Sequence, residues 1–135
     1  MSIRIVKWSE DMSVKVRAFD RDHRGLVEFL NEIAYAIDAR IAPDALADLI
    51  RHLADEAAAH FSREEAFLRG TGFPGLDRHA VEHRRLLGEI RAAADRVAAG
   101  DIAEDEALHA FLHSWLIDHV VEFDKEYVPW ARGTS

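Results

Sequence analysis

The 135-residue chain carries 25 acidic and 17 basic residues, eight histidines and no cysteine. Without cysteine it cannot hold disulfides, thiolate zinc sites, iron–sulfur clusters or covalently attached c-type haem. The net charge of −8 argues against nucleic acid or an anionic membrane as the main partner. The N-terminus has no apolar region typical of a signal peptide, and no stretch is long enough to span a membrane, so we expect a cytoplasmic protein.

Four stretches with apolar residues at helical spacing follow an N-terminal segment that has no clear period. We interpret residues 1–18 as an extended arm that packs onto the body through Trp8, Val14 and Val16. The predicted helices span about residues 20–40, 43–69, 76–99 and 102–127. Their lengths and short connections predict one all-α domain over residues 1–135, an up-down-up-down four-helix bundle.

The ends of these helices are predicted from residues that begin or stop a helix. Asp20 is placed to cap the first helix, and Pro43 suits the first position of the second. Asp101 and Glu104 form an acidic capping pair before the fourth helix. Pro129 is expected to bar that helix from continuing, because proline lacks the backbone N–H that a helix interior needs.

Histidines and carboxylates interrupt the inward faces of all four predicted helices. His60 and Glu64 are four residues apart, so they project side by side on an apolar face. A carboxylate on an inward face is costly unless it is paired, and a metal ion is the strongest candidate partner. The full set of candidate ligands is His23, His60, Glu64, His79, His83, His119 and Asp124. In an antiparallel bundle they lie toward one end, which predicts a single cluster suited to first-row metals.

Three further histidines and one glutamate are expected outside this cluster. His52 lies on the second helix about 12 Å from the cluster along the helix axis, and we expect it to be packed or partly exposed. His109 and His113 are rotated off the face of His119, so we expect both to be exposed to solvent. Glu65 is rotated away from the inward face of its helix, and we expect it on the surface.

One motif also fits a different class of site. HAVEH, residues 79–83, matches the H-x-x-E-H pattern of some zinc peptidases, in which Glu82 would be a general base beside a zinc-bound water. That interpretation leaves the candidate ligands on the other three helices unexplained. A small bundle also has no cleft for an extended peptide. We therefore favour the shared cluster over the peptidase site.

The motifs resemble those of the hemerythrin family, and particularly its bacterial single-domain members. Trp8 precedes FDRDH, which supplies a first-helix histidine, and HFSREE matches the family's H-F-x-x-E-E motif. HAVEH supplies its H-x-x-x-H pair, and WLIDHVVEFDKEY resembles its W-L-x-x-H-[IV]-x-x-x-D-x-x-Y block. The resemblance covers nearly the whole chain and includes all seven candidate ligands at matching spacings.

The resemblance implies a centre of two non-haem iron ions. One iron would take three histidines: His79, His83 and His119. The other iron would take two histidines: His23 and His60. Glu64 and Asp124 would bridge the irons together with an oxo or hydroxo group, which leaves one coordination position for a small ligand, implied to be dioxygen. Leu116 matches the leucine that lines the oxygen pocket of the family.

The function implied by the resemblance is reversible dioxygen binding, for carriage, storage or delivery, rather than enzymatic turnover. Five neutral imidazoles and two carboxylates supply less negative charge than the carboxylate-rich centres of related bundles. We therefore expect the higher iron states to be less stabilised and the bound ligand to be released more easily. Two other interpretations stay open: an oxygen- or redox-sensing module, and a di-iron enzyme that scavenges peroxide or nitric oxide.

Overall fold

A computed structural model describes residues 6–101 and 105–131, which form an N-terminal arm and four helical segments with short connections. No strand occurs among these residues. The first three helices are α1 (Arg17–Asp38), α2 (Pro43–Leu68) and α3 (Leu76–Ala98). The fourth begins as α4 (Asp105–His113) and continues in mixed helical geometry to Ala131. Helix α2 packs against α1 and α3, and α1 also packs against α4. The predicted all-α four-helix bundle is confirmed.

The described part of the N-terminal arm lies against the bundle. The side-chain amide of Asn31 on α1 accepts a hydrogen bond from the backbone of Val6 and returns one to its carbonyl, at 2.9 and 2.8 Å. The guanidinium of Arg24 lies 5.0 Å from the centre of the Trp8 ring. Val14 and Val16 are buried. The arm is therefore held by polar contacts along α1 and by apolar contacts where it enters the helix.

Helix α1 begins three residues earlier than expected, so Asp20 lies inside its first turn and is not the cap. The Asp20 backbone N–H already donates to the carbonyl of Val16, at 2.9 Å. Its carboxylate accepts hydrogen bonds from the Ser13 hydroxyl at 2.6 Å and the Val14 backbone N–H at 2.8 Å. Asp20 therefore fixes the end of the arm to the start of α1 and does not cap the helix.

Apolar side chains at helical spacing fill the bundle interior, and each fully buried aliphatic side chain contributes about 1.5–3 kcal/mol. The largest cluster takes residues from all four helices, among them Ile33, Ile50, Leu53, Leu86, Ile90 and Leu112. Trp115 in the fourth helix donates its indole N–H to the carbonyl of Leu86, at 2.9 Å, so its buried polar atom is satisfied. None of the described helices is long and apolar enough to cross a bilayer.

A smaller cluster closes one end of the bundle. It joins the arm, the start of α1, the loop after α2 and the last turns of the fourth helix, through Val14, Val16, Phe19, Leu68, Phe73, Tyr127 and Ala131. The predicted stop at Pro129 is wrong, because Val128–Ala131 forms a further helical turn. A 3₁₀ turn, Lys125–Tyr127, precedes it, and proline is tolerated in a first helical turn, where its missing N–H has no partner to lose. The predicted cap residue Glu104 lies outside the described residues.

Candidate metal centre

Six of the seven predicted ligands meet in the bundle interior: His23, His60, Glu64, His79, His83 and Asp124. All six are buried, with at most 2% of each residue exposed. They form two groups of four, and the donor atoms within each group lie within 4.8 Å of one another. Glu64 and Asp124 belong to both groups, while each pair of histidines belongs to one. The structure therefore presents two adjoining sites with two carboxylates in common.

Each shared carboxylate directs its two oxygens toward different pairs of histidines. Asp124 Oδ2 lies 2.8 Å from His23 Nε2, and Asp124 Oδ1 lies 2.9 Å from His79 Nε2. Glu64 Oε2 lies 3.3 Å from His60 Nε2, and Glu64 Oε1 lies 3.1 Å from His79 Nε2. A carboxylate whose oxygens are divided in this way can join two neighbouring cations.

Aromatic side chains fix the planes of the ligand rings. Phe61 stacks on His83 with ring centres 3.9 Å apart and planes at 4°. Phe123 stacks on His79 at 4.4 Å and 16°. Because these rings are packed on one face, their nitrogens cannot turn freely away from the carboxylates, and water is kept from that side of the cluster.

His119, the seventh predicted ligand, is exposed and lies outside the cluster. The fourth helix is a π-helix over Ser114–Val121, in which i→i+5 hydrogen bonds add a residue to each turn. This changes the rotation of the side chains, so Leu116, Val120 and Asp124 occupy the buried face. His119 was expected to face the cluster on the assumption that this segment is a regular α-helix, and the structure does not place it there. Leu116 itself is fully buried in the core.

Two carboxylates outside the cluster contact the far nitrogens of two ligand histidines. Asp22 Oδ2 lies 2.8 Å from His60 Nδ1, and Glu65 Oε2 lies 2.8 Å from His83 Nδ1. The expected surface position of Glu65 is therefore wrong, since its carboxylate reaches across to α3 and is only 23% exposed. Sequence reasoning also missed Asp22. Both residues could have been suspected from the sequence, because Asp22 is next to the predicted ligand His23 and Glu65 is next to the predicted ligand Glu64.

Tyr127 completes the surroundings of Glu64 from the fourth helix. Its hydroxyl donates a hydrogen bond to Glu64 Oε2 at 2.7 Å, and the residue is fully buried. Burial and the nearby charges of Glu64 and Asp124 raise the pKa of Tyr127, so the phenol stays protonated. It can therefore only donate to the carboxylate, which fixes the orientation of Glu64.

The charges of the cluster shift the pKa values of its members in opposite directions. Burial raises the pKa of Glu64, but hydrogen bonds from His60 and His79 together hold it well below its usual range. Burial lowers the pKa of His79, but Asp124 and Glu64 outweigh it and raise the value to about 9. The pKa of His60 is likewise raised against its burial, by Asp124, Asp22 and Glu64. The buried carboxylates thus favour positive charge among the histidines.

The donor set fits bound cations. His83 Nε2 is buried 3.1 Å from Glu64 Oε1 but has no hydrogen-bond partner. A nitrogen aimed at a carboxylate oxygen without hydrogen-bond geometry is suited to sharing a metal with it. Imidazole nitrogens and carboxylate oxygens, with no thiolate, are donors that iron and other first-row metals accept. The outer carboxylates also match the usual surroundings of metal-bound histidine.

The solvent exposure of the three remaining histidines differs in part from the prediction. His52 and His113 are exposed. His109 is only 5% exposed, and its Nε2 lies 3.5 Å from Asp38 Oδ1 on α1, so its expected exposure is wrong. The prediction used only the position of His109 around its own helix, which gives no information about a neighbouring helix that covers it.

An all-helical bundle with a buried histidine and carboxylate cluster shared among its four helices defines a hemerythrin-type domain. A family model described as the hemerythrin HHE cation binding domain matches residues 14–131, and the chain belongs to this family.

Several named proteins are similar to this chain over most of their own length. A bacteriohemerythrin of Ralstonia nicotianae is 31% identical over 93% of this chain and 88% of its own. A myohemerythrin of Riftia pachyptila is 28% identical over 89% of this chain and 88% of its own. A crystal structure of wild-type hemerythrin superposes with a TM-score of 0.80 at 22% identity, covering 93% of this chain and 97% of that one. At this identity the structural match bears on the fold alone.

Proposed function

We propose that this chain binds dioxygen reversibly at a non-haem di-iron centre. The observation that carries the proposal is the division of Glu64 and Asp124 between two histidine pairs, which suits two metals held side by side. His23 and His60 would hold one iron, and His79 and His83 the other. Membership of the hemerythrin family favours iron among the metals that this donor set accepts. When bound, the iron pair supplies the electrons that dioxygen binding requires.

The chain's own residues would keep the centre dry and rigid. Phe61 stacks on His83, and Phe19 packs edge-on against His60 with ring centres 5.6 Å apart. Leu116 is fully buried on the fourth helix. Tyr127 holds Glu64 by its buried hydroxyl. Exclusion of water strengthens the electrostatic interactions inside such a site and limits proton access. Reversible binding would depend on that exclusion, because protons and water that reached the site would promote loss of the ligand in reduced form and leave the irons oxidised.

We also propose that His119 binds the iron held by His79 and His83. The proposal requires the segment Ser114–Val121 to turn so that His119 faces inward, where Val120 is now buried. Its spacing within the motif WLIDHVVEFDKEY supports the assignment. His119→Ala should lose part of the iron, whereas His113→Ala, exposed on the same helix, should keep it.

Iron content and gas exchange test the main proposal. Purified protein should hold about two irons per chain, with near-ultraviolet charge-transfer bands when oxidised, and oxygenated protein should return to the deoxy form under vacuum. One zinc per chain without iron would contradict the di-iron assignment. Return that consumes reductant, or oxygenation that cannot be reversed, would favour the scavenging enzyme over the carrier.

A further inference from the structure

Asp22 and Glu65 occupy equivalent positions behind the two halves of the centre, but their own surroundings differ. Each accepts a hydrogen bond from the Nδ1 of a ligand histidine, at 2.8 Å in both cases. Both carboxylates are mostly buried, at 20% and 23% exposure. This contact places the proton on Nδ1 and leaves Nε2 of His60 and His83 as the metal-binding nitrogen.

The surroundings of Asp22 and Glu65 differ because Arg63 pairs with Asp22. Its Nε lies 3.2 Å from Asp22 Oδ2 and its Nη2 lies 3.0 Å from Asp22 Oδ1, so both carboxylate oxygens face the guanidinium. Planar, two-point pairing of this kind draws negative charge toward the arginine. In the part of the chain that the structure describes, no lysine or arginine pairs with Glu65, whose ion-pair contact is with His83.

A carboxylate behind a metal-bound histidine makes the imidazole a stronger donor, and stronger donation stabilises the more oxidised metal. Glu65 can exert this effect in full, whereas Asp22 shares its charge with Arg63. We infer that Asp22 and Glu65 are positioning residues that tune the two irons unequally, with Arg63 weakening the effect of Asp22. The inference rests on the proposed di-iron centre. It predicts that the iron held by His83 is the harder of the two to reduce on account of this contact.

Potentiometric titration of the iron-loaded protein, followed by its charge-transfer absorption, tests the inference. Glu65→Gln keeps a hydrogen-bond acceptor but loses the charge, so one midpoint potential should rise. Arg63→Gln removes the guanidinium that pairs with Asp22, so the Asp22 carboxylate acts more strongly on His60. The other midpoint potential should therefore fall. Outer-sphere changes commonly alter metal-site equilibria tenfold or more, and a tenfold change corresponds to about 59 mV for one electron. Arg51→Gln is the matched control, since Arg51 pairs with Asp48 and Asp95 away from the cluster and should change neither potential.

A double-variant cycle separates the route through Asp22 from a direct effect of the Arg63 charge. In an Asp22→Asn background, Arg63→Gln should leave the potential unchanged, because no carboxylate remains to be released. A shift of equal size in both backgrounds would overturn the inference. So would unchanged potentials in Glu65→Gln and Arg63→Gln variants that are folded and hold the parent's iron content.

Nitrogen-15 NMR of the metal-free protein gives a second measurement, independent of iron. At a pH high enough for both rings to be neutral, His60 and His83 should carry their single ring proton on Nδ1. Glu65→Gln should preserve this tautomer at His83, and Glu65→Ala should lose it. A neutral His83 ring with its proton on Nε2 instead of Nδ1 in the parent would overturn the inference even if the protein binds dioxygen. A parent chain that takes up no iron would contradict the proposed function, and the NMR result would still decide the role of Glu65.

Discussion

Removing the metal should leave a protein whose stability falls as the pH rises from about 6 to about 10. Burial lowers the pKa of His79, but Asp124 and Glu64 raise it from 6.5 to about 9 in the folded chain. The folded state therefore keeps a proton that the unfolded state releases near pH 6.5. The associated stabilisation is complete below that pH and is lost as the pH rises through about 9.

The expected magnitude follows from the shift in pKa. At about 1.4 kcal/mol per pKa unit, His79 alone contributes about 3 kcal/mol, and the pKa of His60 is shifted in the same direction. The pKa of Glu64 is lowered, so its contribution is already present above pH 4.5 and stays constant over this range. The net change in the free energy of unfolding should therefore be a loss of at least a few kcal/mol.

Urea unfolding at several pH values, followed by circular dichroism, measures this change. Iron-loaded protein should behave in the opposite way, because metal binding needs neutral imidazoles and the stabilisation by iron grows as protons leave. His113→Gln, a change at an exposed histidine, should leave the pH profile unaltered. Metal-free stability that is constant or rises between about pH 6.5 and 9 would refute the argument, since the carboxylates would then not be holding protons on the histidines.

Three substitutions test other parts of the centre. Glu64→Ala should lose both irons, because its oxygens face both histidine pairs, while Glu32→Ala at an exposed position should keep them; iron analysis per chain decides. Tyr127→Phe removes a buried donor to a charged acceptor and should cost the metal-free chain about 1.5–3 kcal/mol in urea unfolding. Leu116→Ala should cost about 2–5 kcal/mol. It should also autoxidise faster if Leu116 lines the oxygen pocket; an unchanged rate in folded, iron-replete protein would leave it a core residue.

The sequence by itself was enough to predict the bundle and most of the cluster. Apolar residues at helical spacing are a local signal, and they indicate both where a helix lies and which face turns inward. His60 with Glu64, and His79 with His83, are one turn apart on regular helices, so their common direction is a property of a single segment. Once the helices pack antiparallel, those faces meet, as the cluster shows.

Only the tertiary structure decided the features that depend on a second segment. Glu65 reaches His83 on α3, Asp22 reaches His60 on α2, and His109 is covered by Asp38 from α1. Rotation on one helix cannot reveal such partners, because the partner is far away in sequence. The orientation of His119 has a related cause: the segment Ser114–Val121 is π-helical, and its extra residue per turn turns the predicted ligand outward while Asp124 stays buried.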